Sequence, residues 1–256
     1  MKNITRRDML TLSGALFGAA VSGFPMKVSS VAANFQSGAK LKIIIAGAHP
    51  DDPESGCGGT IARLSDSGHE VVVLYLTRGE AGIQGKSFEE AAKIRTAEAL
   101  EACKILKARP IFAGQIDGST EVNKEQYVKI ASIFESEKPD VVFTHWPIDT
   151  HRDHSANSLL VYDAWLRIKK SFILYYFEVM SGRQTQQFNP THYVDITATE
   201  ARKREACMIH KSQNPEEFYA DHDEMNRFRG MEYRCKYAEA FIWHEQNTKS
   251  FLPLSD

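Results

Sequence analysis

Six residues, Leu41-Lys42-Ile43-Ile44-Ile45-Ala46, set the strongest limit on how this chain folds. The run is short, β-branched and continuously apolar. A strand with one wet face would alternate instead, so this one is predicted to be covered on both sides. A helix is predicted over residues 58–68, with Gly58 and Gly59 at its start and Gly68 at its stop. Glu70-Val71-Val72-Val73-Leu74-Tyr75-Leu76-Thr77 then predicts a second strand and closes a right-handed crossover. A sheet begun in this way is parallel, and parallel strands place their C-terminal ends on one edge.

Beyond a glycine-rich loop over residues 78–86, hydrophobic spacing predicts a helix over 88–106 and a short strand over 111–113. A helix over 125–137, a strand over 141–144, a helix over 155–168 and a strand over 172–179 follow. A last strand over 194–196 is expected near an edge. From residue 198 the chain turns helical and polar, breaks near 212–215, and is predicted to end in a helix over 225–241. The fold expected is α/β: a Rossmann-like, mostly parallel sheet with helices on both faces, in a single domain over residues 34–256.

No G-x-G-x-x-G follows the first strand, which disfavours a dinucleotide-binding oxidoreductase. A formal net charge of -2 offers no basic face for nucleic acid. Cys57, Cys103, Cys207 and Cys235 form no C-x-x-C pair, so they read as small buried hydrophobes. Residues 1–33 carry paired Arg6-Arg7, a glycine-bearing apolar segment and a small-residue stretch ending Val31-Ala32-Ala33, and they resemble a twin-arginine export signal. That resemblance implies a periplasmic protein with no membrane span in its mature form, because the apolar segment is short and interrupted.

Two polar clusters carry the chemistry. Ala48-His49-Pro50-Asp51-Asp52-Pro53-Glu54 follows the first strand, and His151-Arg152-Asp153-His154 follows the strand over 141–144. Both sit where parallel strands end, so the two can converge across a hundred residues of sequence. Histidine and carboxylate ligands without thiolates suit zinc or another divalent first-row ion in an open site. Adjacent Asp51 and Asp52 cannot aim at one point from a tight turn holding Pro50, so one is expected to bind metal and the other to stay unbound.

These two clusters, with Gly58-Gly59-Thr60, Thr77-Arg78-Gly79-Glu80-Ala81-Gly82, Asn189-Pro190-Thr191-His192-Tyr193-Val194-Asp195-Ile196 and Arg229-Gly230 with Ala238-Glu239-Ala240-Phe241, resemble the LmbE/PIG-L family of zinc-dependent N-acetylglucosamine deacetylases. The resemblance runs from about Lys42 to Phe241. It implies one zinc ion on His49, Asp52 and His154, with Asp51 as general base. It also implies that His151 stabilises the oxyanion with Asp153 in support, and that Arg95 helps to hold substrate; Arg78 reads equally as a substrate-binding or a loop-structuring residue. The partner it implies is an N-acetylated sugar, and since the family often forms symmetric oligomers, a homo-oligomer is expected. Hydrolysis of another amide, such as a thiol-sugar conjugate or an acylated antibiotic, falls within the same resemblance. A non-catalytic zinc- or sugar-binding protein is the rival from another class, and an intact Asp51 speaks against it.

Overall fold

The computed structural model describes residues 40–247; the export signal expected over residues 1–33 lies outside them. Seven strands form one sheet: β1 (Lys42–Gly47), β2 (Glu70–Thr77), β3 (Arg109–Gln115), β4 (Val141–His145), β5 (Ile173–Phe177), β6 (His192–Asp195) and β7 (Ala238–Trp243). Their order is β3-β2-β1-β4-β5-β7-β6. β1 to β5 are mutually parallel, while β7 runs antiparallel to both β5 and β6. The helices are α1 (Asp52–Asp66), α2 (Phe88–Leu106), α3 (Lys124–Glu137), α4 (Arg152–Arg167), α5 (Glu200–Cys207) and α6 (Pro215–Tyr233).

Continuous hydrophobicity in β1 has the cause predicted for it. Ile43 and Ile45 pack on one face against Cys57 and Ile61 of α1 and Ala99 and Cys103 of α2. Ile44 and Ala46 pack on the other against Ile130 and Phe134 of α3 and Leu160 and Trp165 of α4. Cys57, Cys103 and Cys207 are buried and Cys235 is partly so; none is in a disulfide. Among the described residues no helix is long and apolar enough to cross a membrane.

Two elements differ most from the sequence-based expectation. α1 begins at Asp52, six residues before Gly58, because Gly58 and Gly59 serve close packing inside the helix. A Cβ on Gly59 would lie 2.6 Å from Ile196, and one on Gly58 would lie 2.9 Å from Lys203. The final helix stops at Tyr233, and Ala238-Glu239-Ala240-Phe241 forms part of β7 instead of continuing it. Alanine and glutamate favour helix in isolation, but here burial between β5 and β6 decides. Glu239 tolerates that position because Lys203 Nζ donates to it at 2.7 Å and the N–H groups of Gly59 and Thr60 donate at 2.9 and 2.8 Å.

The chain leaves β1 toward β2 and β3 on one side, with β4 and β5 on the other. The crevice at that reversal, outside the strand ends, is where open α/β sheets bind ligands. Asn157 of α4 secures it, donating from Nδ2 to the Ala46 carbonyl at 2.8 Å and to Thr144 Oγ1 at 3.1 Å.

Candidate metal centre

Five loops meet at this crevice, following β1, β2, β3, β4 and β5. The first is pinned at Ala48, whose N–H donates to His145 Nε2 at 3.1 Å and whose carbonyl accepts the Thr77 hydroxyl and N–H, both at 3.0 Å. His49 follows at the end of β1. Asp52, in the first turn of α1, accepts the His49 N–H at 2.7 Å. A carboxylate in a first helical turn also gains from the helix dipole.

His49, Asp52 and His154 come together in the buried floor of a cavity of about 500 Å³. His49 Nδ1 lies 3.1 Å from Asp52 Oδ2, His154 Nε2 lies 3.2 Å from Asp52 Oδ1, and the two ring nitrogens are 3.3 Å apart. Each ring is oriented from behind. His49 Nε2 faces Asp153 Oδ2 and Asp117 Oδ1, both at 3.2 Å. His154 Nδ1 faces Asp149 Oδ2 at 3.1 Å. Carboxylates behind the rings place the protons on His49 Nε2 and His154 Nδ1, so His49 Nδ1 and His154 Nε2 turn lone pairs toward Asp52.

Three acceptors at this spacing need a cation or extra protons between them. Burial disfavours a charge on His154, but Asp52 and Asp149 outweigh it and raise its pKa to about 9. Burial likewise opposes charge on His49, and Asp117, Asp153 and Asp52 together drive its pKa well above the ordinary value. A divalent ion answers the same demand. Tetrahedral zinc, with bonds of about 2.0–2.1 Å, sets its ligands roughly 3.3 Å apart, the separation found here. Three of the other clustered donors are already engaged, Asp153 and Asp117 on His49 and His145 Nε2 on the Ala48 N–H, while His151 also clusters with His49 and His154. His145 stacks on His154 at 3.9 Å, and burial followed by the neighbouring imidazole lowers its pKa to about 4.

Asp51 stays outside the donor set. It precedes α1 with φ 112°, a conformation rare for any residue but glycine, and its Oδ2 accepts from Arg95 Nη2 at 2.8 Å. Burial raises its pKa to about 6, with Arg95 opposing the rise. Arg95 is itself buried. A Cβ on Gly79, which has φ +70°, would lie 2.5 Å from Arg95 Cδ, and one on Gly82 would collide with Nη1. The glycine-rich loop is therefore a sleeve around this guanidinium. Arg95 lines the cavity, but its bonds run to the protein and not outward.

Two other residues stand differently from expectation. Arg78 is half exposed, away from the centre, beside a second cavity with Phe88 and Lys93. Its neighbour Glu80 is the structural residue, accepting the N–H groups of Arg78 at 3.1 Å and Asp117 at 3.2 Å. Asp153 does not support His151 through its side chain; its carboxylate instead reaches His49, Thr120 Oγ1 at 2.7 Å and the Gly118 N–H at 2.8 Å. Only its backbone N–H touches His151, donating to Nδ1 at 3.3 Å. That bond leaves Nε2 to carry the ring proton, and burial with the neighbouring His49 and His154 lowers the pKa of His151.

Sequence reasoning passes over Asp117, Asp149, Thr120 and Gln184, the last of which lines the cavity and donates from Nε2 to Asp149 Oδ1 at 3.0 Å. Asp149 lies two residues before His151, beside the second cluster, with no chemical signal of its own. Asp117 follows β3 by two residues, the position that marks the other acidic groups here; reading β3 as ending at residue 113 hides it. His222 lines the cavity from α6, while His192 is in β6 against Tyr175 and Trp243, away from it.

Residues 44–165 match the profile of the PIG-L family, described as GlcNAc-PI de-N-acetylase. The diacetylchitobiose deacetylase of Thermococcus kodakarensis is 31% identical over 193 residues, covering 70% of this chain and 72% of that protein. The conserved protein TT1542 of Thermus thermophilus superposes with a TM-score of 0.71 at 30% identity, covering 84% of this chain and 99% of that one. The 4-oxalmesaconate hydratase of Pseudomonas putida is 26% identical over 186 residues, covering 64% of this chain and 72% of that protein.

Proposed function

Because this chain belongs to the PIG-L family, we propose that it is a zinc-dependent deacetylase that hydrolyses the N-acetyl group of an N-acetylated amino sugar, releasing acetate. The observation that carries this reading is the pairing of three mutually facing acceptors, on His49, Asp52 and His154, with a separate carboxylate on Asp51. Two imidazoles and a carboxylate without thiolate support zinc, or another divalent first-row ion, over a closed structural site. Bound there, the ion supplies Lewis acidity and lowers the pKa of a water to about 7.

The chain's own groups supply the rest. Arg95 holds Asp51 Oδ2, so Oδ1 is the atom assigned to take a proton from the attacking water and return it to the departing amine. Water oxygen adds to the acetyl carbon, the C–N bond breaks, and acetate and free amine leave. The His151 Nε2–H donates to the oxygen that becomes negative; such a donor contributes about 3–4 kcal/mol. It does so as a neutral ring, since burial and then the neighbouring His49 and His154 lower its pKa. Val179, Met180 and Phe218 give the cavity an apolar wall for the face of a sugar ring.

Zinc-loaded protein should release acetate from at least one member of a panel of N-acetylglucosamine compounds, and a chelator should stop it. Absence of acetate across the panel with metal bound would overturn the reading. Water addition to a carbon–carbon double bond is the second reading, favoured by the hydratase relative. Hydration of an unsaturated carboxylate without acetate release from any amide would select it.

A further inference from the structure

Asp51 holds the strained backbone of the centre, and such strain persists only where the surroundings over-determine it. The peptide leading into it is gripped at both ends. Arg95 Nη2 donates to the Pro50 carbonyl at 2.5 Å, and Glu54 Oε2 accepts the Asp51 N–H at 3.2 Å. Glu54 is fully buried, unlike the exposed Glu90 that accepts the Ser87 N–H in the same way at the start of α2. Capping a helix requires no such burial. Glu54 Oε1 accepts the Tyr75 hydroxyl and lies 3.5 Å from His210 Nε2, within a polar cluster that no step of the chemistry uses.

The short helical turn Lys211–Gln213 ties that cluster to the other grip. Ser212 donates to Glu98 from its N–H at 2.9 Å and its hydroxyl at 2.6 Å. Gln213 Nε2 donates to the Gly82 carbonyl at 3.0 Å. Glu98 lies three residues from Arg95 on α2, and Gly82 walls the Arg95 guanidinium.

We propose that Glu54 is a positioning residue. Together with Arg95 it locks the plane of the Pro50–Asp51 peptide and so the direction of the Asp51 carboxylate, while Tyr75 and His210 keep Glu54 aligned for that task. The inference rests on Asp51 being the base, and its test separates the two. Glu54→Met keeps the volume and removes the acceptor. It should lower kcat for acetate release by about 10²-fold, the usual loss from a misplaced catalytic group, with KM and zinc content unchanged. Combined with Asp51→Asn it should cost nothing further, because it acts only through Asp51. Glu54→Gln retains an acceptor for the Asp51 N–H and should keep kcat within about tenfold of wild type, the margin between a neutral and a charged acceptor. Glu54→Met with wild-type kcat, or full additivity with Asp51→Asn, overturns the proposal. If Glu54→Met does not fold, Glu54→Gln decides alone: a loss as deep as that of Asp51→Asn overturns the proposal. Should Asp51→Asn turn over normally, it is the base assignment that fails.

Discussion

At the scale of single residues, the centre is a set of lone pairs whose directions are fixed by carboxylates behind them. Asp149 is the clearest case, touching His154 but outside the assigned ligands. Asp149→Ala should weaken zinc affinity by roughly 10–100-fold while leaving the fold intact, as competition with a chelator would show. Unchanged affinity would mean that His154 needs no orienting partner. The sequence made His49, Asp51, Asp52, His151, Asp153 and His154 legible because each lies beside another chemical residue just past a strand. Asp117 was hidden because β3 read as ending at residue 113, two residues short of Gln115, and Thr120 has no signal but proximity in space to Asp153. Arg95 was legible as a residue near the site but not as the partner of Asp51, because nothing in a helical pattern shows which way a long side chain bends.

At the scale of elements, β2 and α2 matched their predicted bounds because their periodicities are unmixed and their ends carry clear stops. α1 and β7 did not, and one buried residue takes part in both differences. Lys203 of α5 lies against Gly58 and bonds Glu239 of β7, so glycines act as helix packing and a glutamate enters a strand. Lys203→Met removes the cation from a fully buried pair and should cost about 3–5 kcal/mol in urea unfolding. A cost below about 1 kcal/mol would show that the Gly59 and Thr60 N–H groups satisfy Glu239 without it.

At the scale of the whole molecule, the strand-order reversal brings the His49 and His154 loops together, and the charges gathered there make stability and activity depend on pH. In metal-free protein the pKa of His154 is raised to about 9, so its contribution to stability is complete below its unfolded value, near 6.5, and is lost as pH rises through about 9. Thermal unfolding of chelated protein should therefore show falling stability over that window. Zinc should reverse the trend, because ligation requires unprotonated rings. As the proposed base Asp51 must be ionised, and a neighbouring cation can only lower its pKa, so the acid limb of kcat should lie at or below about pH 6. An acid limb above about pH 7 would exclude Asp51 as the base. Export through residues 1–33 stands as a proposal, and Arg6→Lys with Arg7→Lys should abolish periplasmic recovery in cell fractionation. The most direct measurement takes metal content and acetate release from one preparation of Asp51→Asn. One equivalent of bound zinc with acetate release reduced by a factor on the order of 10²–10⁴ is expected. Wild-type turnover, or loss of the metal along with the activity, would contradict a centre in which one aspartate binds and its neighbour moves the proton.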